Sequence, residues 1–261
     1  MTKRVDLHNH TKLCNHASGE MEEFVLRAID QKIDIFGFSD HAPMNYDQKY
    51  RMSISQMTEY EKEVFRLKSK YGSKIEILLG YEVDFLNGFI LDEVLGSQVD
   101  YFIGSVHFIK GWGFDNPEFI GGYKDKDIDE IWQNYFDAIE EMAKTSKFDI
   151  VGHLDLIKVF NFLPTKDIKI LAKNAIQAIK KSNMCIELNP AGLRKPIKEI
   201  YPSFELLQMC FEVDIPITFG SDAHEISQIG FGYDEVVGIA KKVGYSKCTV
   251  FKNRDRQLVN F

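Results

Sequence analysis

Seven histidines, His8, His10, His16, His41, His107, His153 and His224, are spread over 261 residues, and their neighbours give them chemistry. His8-Asn9-His10 and Ser221-Asp222-Ala223-His224 each place two metal-capable side chains two residues apart. In an extended strand that spacing sends both side chains to one side, so one ion can take both. Ser39-Asp40-His41, Gly104-Ser105-Val106-His107 and Val151-Gly152-His153 also close apolar runs. Glu82 breaks the otherwise apolar stretch around Gly80-Tyr81. A carboxylate placed there needs a cation or hydrogen bonds. Taken singly, His41, His107 or His153 reads as an ordinary hydrogen-bonded histidine. Taken together, His8, His10, His16, His41, Glu82, His107, His153, Asp222 and His224 form a candidate ligand set. Crowded imidazoles repel one another when protonated, and bound divalent cations resolve that conflict. The set exceeds what a single tetrahedral ion takes, so it predicts two or three ions.

Such groups must be carried on rigid elements. The apolar runs that they close cover residues 4–8, 34–40, 75–83, 101–107, 149–153, 184–189 and 215–222. Their near-continuous Val, Ile and Phe content suits strands buried on both faces, as in a parallel sheet. Between them, residues 20–32 place Phe24, Ala28 and Ile29 on one side of a helix. A helix over Ile54–Tyr71 is expected to stop at Gly72. Asp127 and Glu130 resemble a capping box before Ile131 and Trp132. Residues 166–182 and 203–212 are further helix candidates, whereas 111–127 lacks periodicity and reads as a long loop. Alternation without a Pro- or Ser-rich linker predicts one α/β domain over residues 1–261. Polar residues at the C-terminal end of nearly every strand favour a closed barrel, where those ends meet on one face. In an open sheet only the ends near the switch point converge.

Composition sets outer limits. With 44% hydrophobic and 27% charged residues, the chain is neither disordered nor fibrous. A net charge of −7 argues against non-specific nucleic-acid binding. No apolar run approaches the roughly 20 residues of a membrane helix, and the first residues lack a signal-peptide core. Cys14, Cys185, Cys210 and Cys248 are far apart, the pattern of reduced thiols, so a cytoplasmic protein is expected.

In order and residue type, His8-Asn9-His10, Ser39-Asp40-His41, Glu82, Ser105-Val106-His107, Gly152-His153 and Ser221-Asp222-Ala223-His224 resemble the motifs of the polymerase-and-histidinol-phosphatase (PHP) superfamily. Within it the chain is most similar to the monofunctional histidinol-phosphatases. That similarity rests on Tyr50-Arg51-Met52-Ser53 followed by Gln56-Met57, on Gly152-His153-Leu154-Asp155-Leu156-Ile157-Lys158, and on Glu187-Leu188-Asn189-Pro190-Ala191-Gly192-Leu193-Arg194-Lys195.

The resemblance implies a distorted (β/α)7, TIM-like barrel with a trinuclear metal centre at the C-terminal strand ends. His8, His10, Glu82 and Asp222 would hold one ion. Glu82, His107 and His153 would hold a second, with Glu82 bridging, and His16, His41 and His224 a third. Zinc, manganese and iron all tolerate such ligands, so the metal stays open. The implied reaction is hydrolysis of L-histidinol phosphate to L-histidinol and phosphate, a step of L-histidine biosynthesis, by a metal-bridging hydroxide. Asp222 is expected to accept a hydrogen bond from the nucleophile, and His224 or Asp40 to protonate the leaving alkoxide. Asp40 has an alternative role as an orienter of a ligand. Arg194, with its planar fork, is the first choice for the phosphate, ahead of Lys158 and Arg51. Partners for the substrate's imidazole and ammonium stay unassigned among Asp84, Asp155, Tyr50 and Phe108. Two other readings stand beside this one. One is a PHP-type phosphoesterase acting on nucleotide or oligonucleotide 3′ phosphates, for which a basic track would be expected. The other is a metal-binding protein without turnover.

Overall fold

The computed structural model describes residues 2–261. The apolar runs form β1 (Val5–Asp6), β2 (Ile35–His41), β3 (Glu76–Asp84), β4 (Tyr101–Ser105), β7 (Ile150–Val151), β8 (Cys185–Leu188) and β9 (Ile217–Phe219). They lie side by side in the order β1-β2-β3-β4-β7-β8-β9, every pair parallel. Beyond β1 and β9 the backbone continues to pair: Leu7 N donates to Phe219 O (2.8 Å), Asp222 N to His8 O (2.8 Å) and His10 N to Ala223 O (2.9 Å). The sheet thus curls into a nearly closed barrel, as the strand-end pattern predicts. Several strands are shorter than their apolar runs, because their last residues turn into the loops that carry the ligands.

The helices α1 (Met21–Asp30), α2 (Ile54–Tyr71), α4 (Ile128–Lys144), α5 (Ile168–Lys181), α6 (Phe204–Glu212) and α7 (Tyr233–Val243) surround the barrel, with a single turn, α3 (Asp92–Leu95), before β4. Met57, Tyr60, Val64 and Leu67 give α2 its buried stripe. Ser53 and Gln56 close a capping box at its start. Asp127 caps α4 through the amides of Asp129 and Glu130, without the reciprocal contact of a full capping box. Inside the barrel the Tyr101 hydroxyl donates to Leu7 O (2.5 Å). Gly37 and Gly80 make room for that ring, since a Cβ there would lie 2.0 and 2.6 Å from Tyr101 atoms.

Three features depart from the sequence expectation. The segment 111–127 is not all loop: β5 (Phe108–Ile109) and β6 (Trp112–Gly113) form a small hairpin, and a 3-10 turn covers Pro117–Tyr123. Helix α7 was not anticipated, and only Val236 and Ala240 of it are buried, a stripe too thin to show in the sequence. A C-terminal hairpin of β10 (Lys247–Lys252) and β11 (Asp255–Asn260) was also missed. It covers the barrel end away from the histidines, where Arg254 bonds Asp149 (2.9 Å) and Lys3 N donates to Asn260 O (2.7 Å). Among the described residues no helix is long and apolar enough to cross a membrane.

Candidate metal centre

The ligands gather because each strand ends at the same face. His8 and His10 lie beyond β1, yet Asn9 still pairs with Ala223 as a parallel bridge, which keeps the alternation that turns both imidazoles inward. His41 ends β2 directly opposite Glu82 of β3. Asp222 follows β9 at φ 51°, a left-handed conformation that a non-glycine residue adopts at a cost. Arg194 braces this turn, its Nη2 donating to the carbonyls of Ser221 (3.0 Å) and Asp222 (2.9 Å).

Glu82, fully buried, divides the cluster. Its Oε1 faces His153 Nε2 (3.0 Å) and His107 Nε2 (3.8 Å), while Oε2 faces His8 Nε2 (3.4 Å) and His10 Nε2 (3.5 Å). Asp222 Oδ1 lies 3.2 Å from His10 Nε2. Three triads, His8–His10–Glu82, Glu82–His107–His153 and His16–His41–His224, each hold their ligand atoms within 4.8 Å of one another. All nine residues expected as ligands are therefore brought together.

Behind them stand carboxylates that hold the second nitrogen of His8, His10 and His107. Glu187 Oε1 lies 2.7 Å from His8 Nδ1, and its Oε2 accepts from His153 N (2.9 Å) and Asn189 Nδ2 (3.1 Å). Asp84 engages His107 Nδ1 and Arg51 Nη1. Asp6 fixes Ser221 through its amide (2.8 Å) and hydroxyl (2.5 Å). Gly220 is required by this packing: a Cβ there would meet Glu187 Oε1 at 2.1 Å and His8 Cβ at 2.4 Å.

The cluster's charges are matched to added cations. Burial works against every charged form here, and the balance differs from group to group. Against it, Glu187 and Glu82 raise His8 well above the ordinary histidine range, and Asp222 and Asp40 raise His10 to about 9. Asp84 and Asp115 raise His107 to about 10. Burial lowers His16, His41 and His224, with the neighbouring His10 adding to it. Glu82 and Asp222 are held well below the usual carboxylate range despite burial, by His41 and His8 for the first and His8 and His10 for the second. Several nitrogens face each other in pairs, His8 Nε2 with His10 Nε2 (3.1 Å) and His16 Nε2 with His224 Nε2 (3.0 Å). Facing lone pairs repel unless a proton or a metal ion lies between them. Glu82 Oε2 and His41 Nδ1 lie 3.0 Å apart without forming an aligned hydrogen bond, and His153 Nδ1 is buried without a partner. Unsatisfied buried acceptors converging with carboxylates fit a site for divalent cations.

The centre lies in the floor of a cavity of about 520 Å³, within the usual range of small-ligand sites. Of the expected catalytic residues, Asp222 and His224 line it. Asp40 does not: it sits behind His10, accepting from Thr11 Oγ1 and His41 N (2.9 Å) and lying 3.3 Å from His10 Nδ1. That placement keeps Asp40 out of the cavity, where an acid would act, and sets it against the second nitrogen of His10. Of the expected substrate residues, Arg194 lines the cavity with Nη1 buried and unpartnered. Arg51 also lines it, but its guanidinium is held by Asp84 and Asp47 O (2.8 Å). Lys158 is absent from the lining. Its ammonium is buried and held by Asp155 (2.9 Å), Glu199 (2.7 Å) and Ile200 O (2.8 Å), so it braces the segment after β8 rather than the substrate. Asp155 belongs to the same brace.

The sequence reading missed Glu187, Asp115 and Tyr201. Glu187 carried the signal that singled out Glu82, a carboxylate inside an apolar run. Tyr201 lines the cavity with its hydroxyl unpartnered, and nothing in its local sequence marks it.

The chain belongs to the PHP domain family, whose model matches residues 6–191. Among curated proteins it is 36% identical to a "Probable histidinol-phosphatase" of Deinococcus radiodurans, over 98% of this chain and 100% of the relative. It is 27% identical to the histidinol-phosphatase of Bacillus subtilis, over 90% of this chain and 98% of that one. A solved histidinol phosphate phosphatase of Lactococcus lactis, complexed with zinc, L-histidinol and phosphate, has the same fold. It superposes with a TM-score of 0.83 at 19% identity, covering 98% of this chain and 99% of that structure.

Proposed function

We propose that this chain is a histidinol-phosphatase, hydrolysing L-histidinol phosphate to L-histidinol and phosphate within L-histidine biosynthesis. The observation that carries the reading is Glu82 shared between two imidazole sets, in a cavity that Arg194 enters with an unpaired donor. A shared carboxylate between two ligand sets suits phosphomonoester hydrolysis, where negative charge builds on oxygens around phosphorus. His8, His10, Glu82 and Asp222 would hold one divalent ion, Glu82, His107 and His153 a second, and His16, His41 and His224 a third. Zinc, manganese and iron all suit these donors. Such ions, when bound, neutralise phosphoryl oxygens and acidify water.

The chain's own groups do the rest. Arg194 Nη1 takes a non-bridging phosphoryl oxygen, while Nη2 keeps the guanidinium tied to the Ser221 and Asp222 carbonyls. Asp222 accepts a hydrogen bond from the attacking water. As the ester P–O bond breaks, the proton released by that water passes through the water of the cavity to the leaving alkoxide, so no proton is left on the protein. In this reading His224 serves as a ligand. Glu187, Asp40 and Asp84 hold His8, His10 and His107 by their Nδ1 atoms, which leaves the Nε2 atoms for the metal side. All four cysteines are free and buried, in keeping with a cytoplasmic setting.

The test is phosphate release from L-histidinol phosphate beside a panel of nucleoside monophosphates, with protein loaded in turn with zinc, manganese or iron. A preference for L-histidinol phosphate of about 10³-fold or more in kcat/KM is expected. Comparable rates on nucleotides would overturn the substrate, and no turnover with any metal would overturn the enzyme.

A further inference from the structure

Five carboxylates line the cavity: Asp47, Glu82, Asp84, Asp115 and Asp222. Four are engaged by neighbours. Asp47 lies 3.9 Å from Arg51, and Asp84 holds both Arg51 and His107. Glu82 and Asp222 face the imidazoles. Asp115 forms no ion pair and accepts no hydrogen bond from another residue among the described ones. It is only half-buried, so its carboxylate is open to the cavity. A carboxylate taken part-way out of water without a partner is costly unless a ligand completes it.

Its place in the chain points the same way. Asp115 follows the β5–β6 hairpin, in the segment inserted between β4 and α4. Loops held on a rigid barrel are where specificity is commonly built. Resting on the histidinol-phosphatase reading, the substrate has two unlike ends. Its phosphate is a dianion that belongs with Arg194 and the imidazole cluster. Its ammonium is attached only two carbons from the ester oxygen, so the group that recognises it must sit near the centre rather than at the mouth. Asp115 meets that condition, because it lines the same cavity as His107, His153 and Arg194.

We infer that Asp115 is a specificity residue that receives the ammonium group of the substrate, so that the site selects phosphate esters of amino alcohols over phosphate esters without a cation. Arg194 and the imidazoles take one end of the molecule and Asp115 the other, which fixes the ester oxygen between them.

The experiment compares Asp115→Asn and Asp115→Glu with the wild type on L-histidinol phosphate and on p-nitrophenyl phosphate, which has no amine, with metal content measured for each. A charge-assisted contact of this kind predicts that Asp115→Asn lowers the kcat/KM ratio of the two substrates roughly 10–100-fold, chiefly through KM for L-histidinol phosphate. Asp115→Glu should retain most of the ratio. Equal loss on both substrates, or loss of metal, would overturn the inference and make Asp115 a support for His107. An unaltered ratio would overturn it as well. Failure of the histidinol-phosphatase reading shows separately, in the wild type, as no preference for L-histidinol phosphate over nucleotides.

Discussion

Glu187 shows how much an imidazole ligand depends on its second nitrogen. By taking His8 Nδ1 it fixes which nitrogen faces the metal side, and through the His153 amide it also sets the position of another ligand. Glu187→Gln keeps the size and removes the charge. Support of this kind typically governs metal affinity or activity by about 10–100-fold. The variant should therefore bind metal more weakly and turn over more slowly at limiting metal, with part of the loss recovered at high metal. Metal titration followed by phosphate release measures this. At this scale the sequence was informative where a residue type stood out against its surroundings. The nine candidate ligands could be picked out as a group because all but His16 stand inside an apolar run or at or just beyond its end. Lys158, absent from the cavity lining, and Arg51, which lines it but is held by Asp84, show the opposite case: a cation near a motif says nothing about which carboxylate already holds it.

At the scale of elements, α1 and α2 are tied by Glu22, whose carboxylate meets Lys70, Tyr71 and Arg66. Hydrogen bonds from Lys70, Tyr71 and Arg66 lower it to about 2. A carboxylate depressed on folding stabilises above its unfolded pKa of roughly 4.3 and loses that contribution as pH falls through the folded value. Glu22→Gln should thus lower Tm at pH 7, with a smaller difference at pH 3, and high salt should shrink the effect because the network is exposed. Thermal melts at the two pH values check the sign. The bounds of helix α2 were legible with Gly72 read as its stop, and the Ser53 cap and the buried stripe of Met57, Tyr60, Val64 and Leu67 are what hold it there. The C-terminal hairpin was hidden by its turn. Asn253 and Arg254 adopt φ 49° and 69°, where a two-residue hairpin ordinarily shows Asn-Gly. Arg254 occupies the glycine position because its amide donates to Asp100 O (2.8 Å) and its guanidinium binds Asp149, contacts made only in the assembled barrel.

For the whole molecule, the barrel closes where β1 meets β9, and the ligands straddle that seam. His8 and His10 come from one side, and Asp222 and His224 from the other. Ions bound there add linkage energy to the folded state alone, about 4 kcal/mol when free metal exceeds Kd roughly 1,000-fold. At roughly 2–4 °C per kcal/mol for a chain of this size, chelation should lower Tm by about 10 °C, and re-adding metal should restore it. A scan with and without chelator decides this, and an unchanged Tm would mean that the seam holds without ions. The closed architecture was legible from the strand ends, but the location of the seam was not. It follows from pairing between residues more than 200 positions apart, such as Leu7 with Phe219.

That seam reaches beyond catalysis. A barrel that parts between its first and last strands presents two unpaired backbone edges, the surfaces that recruit other chains, and degradation in cells tracks the population of open forms. Scarcity of the ion is then read out as abundance: starved cells would carry fewer copies of the protein rather than a standing pool of idle ones.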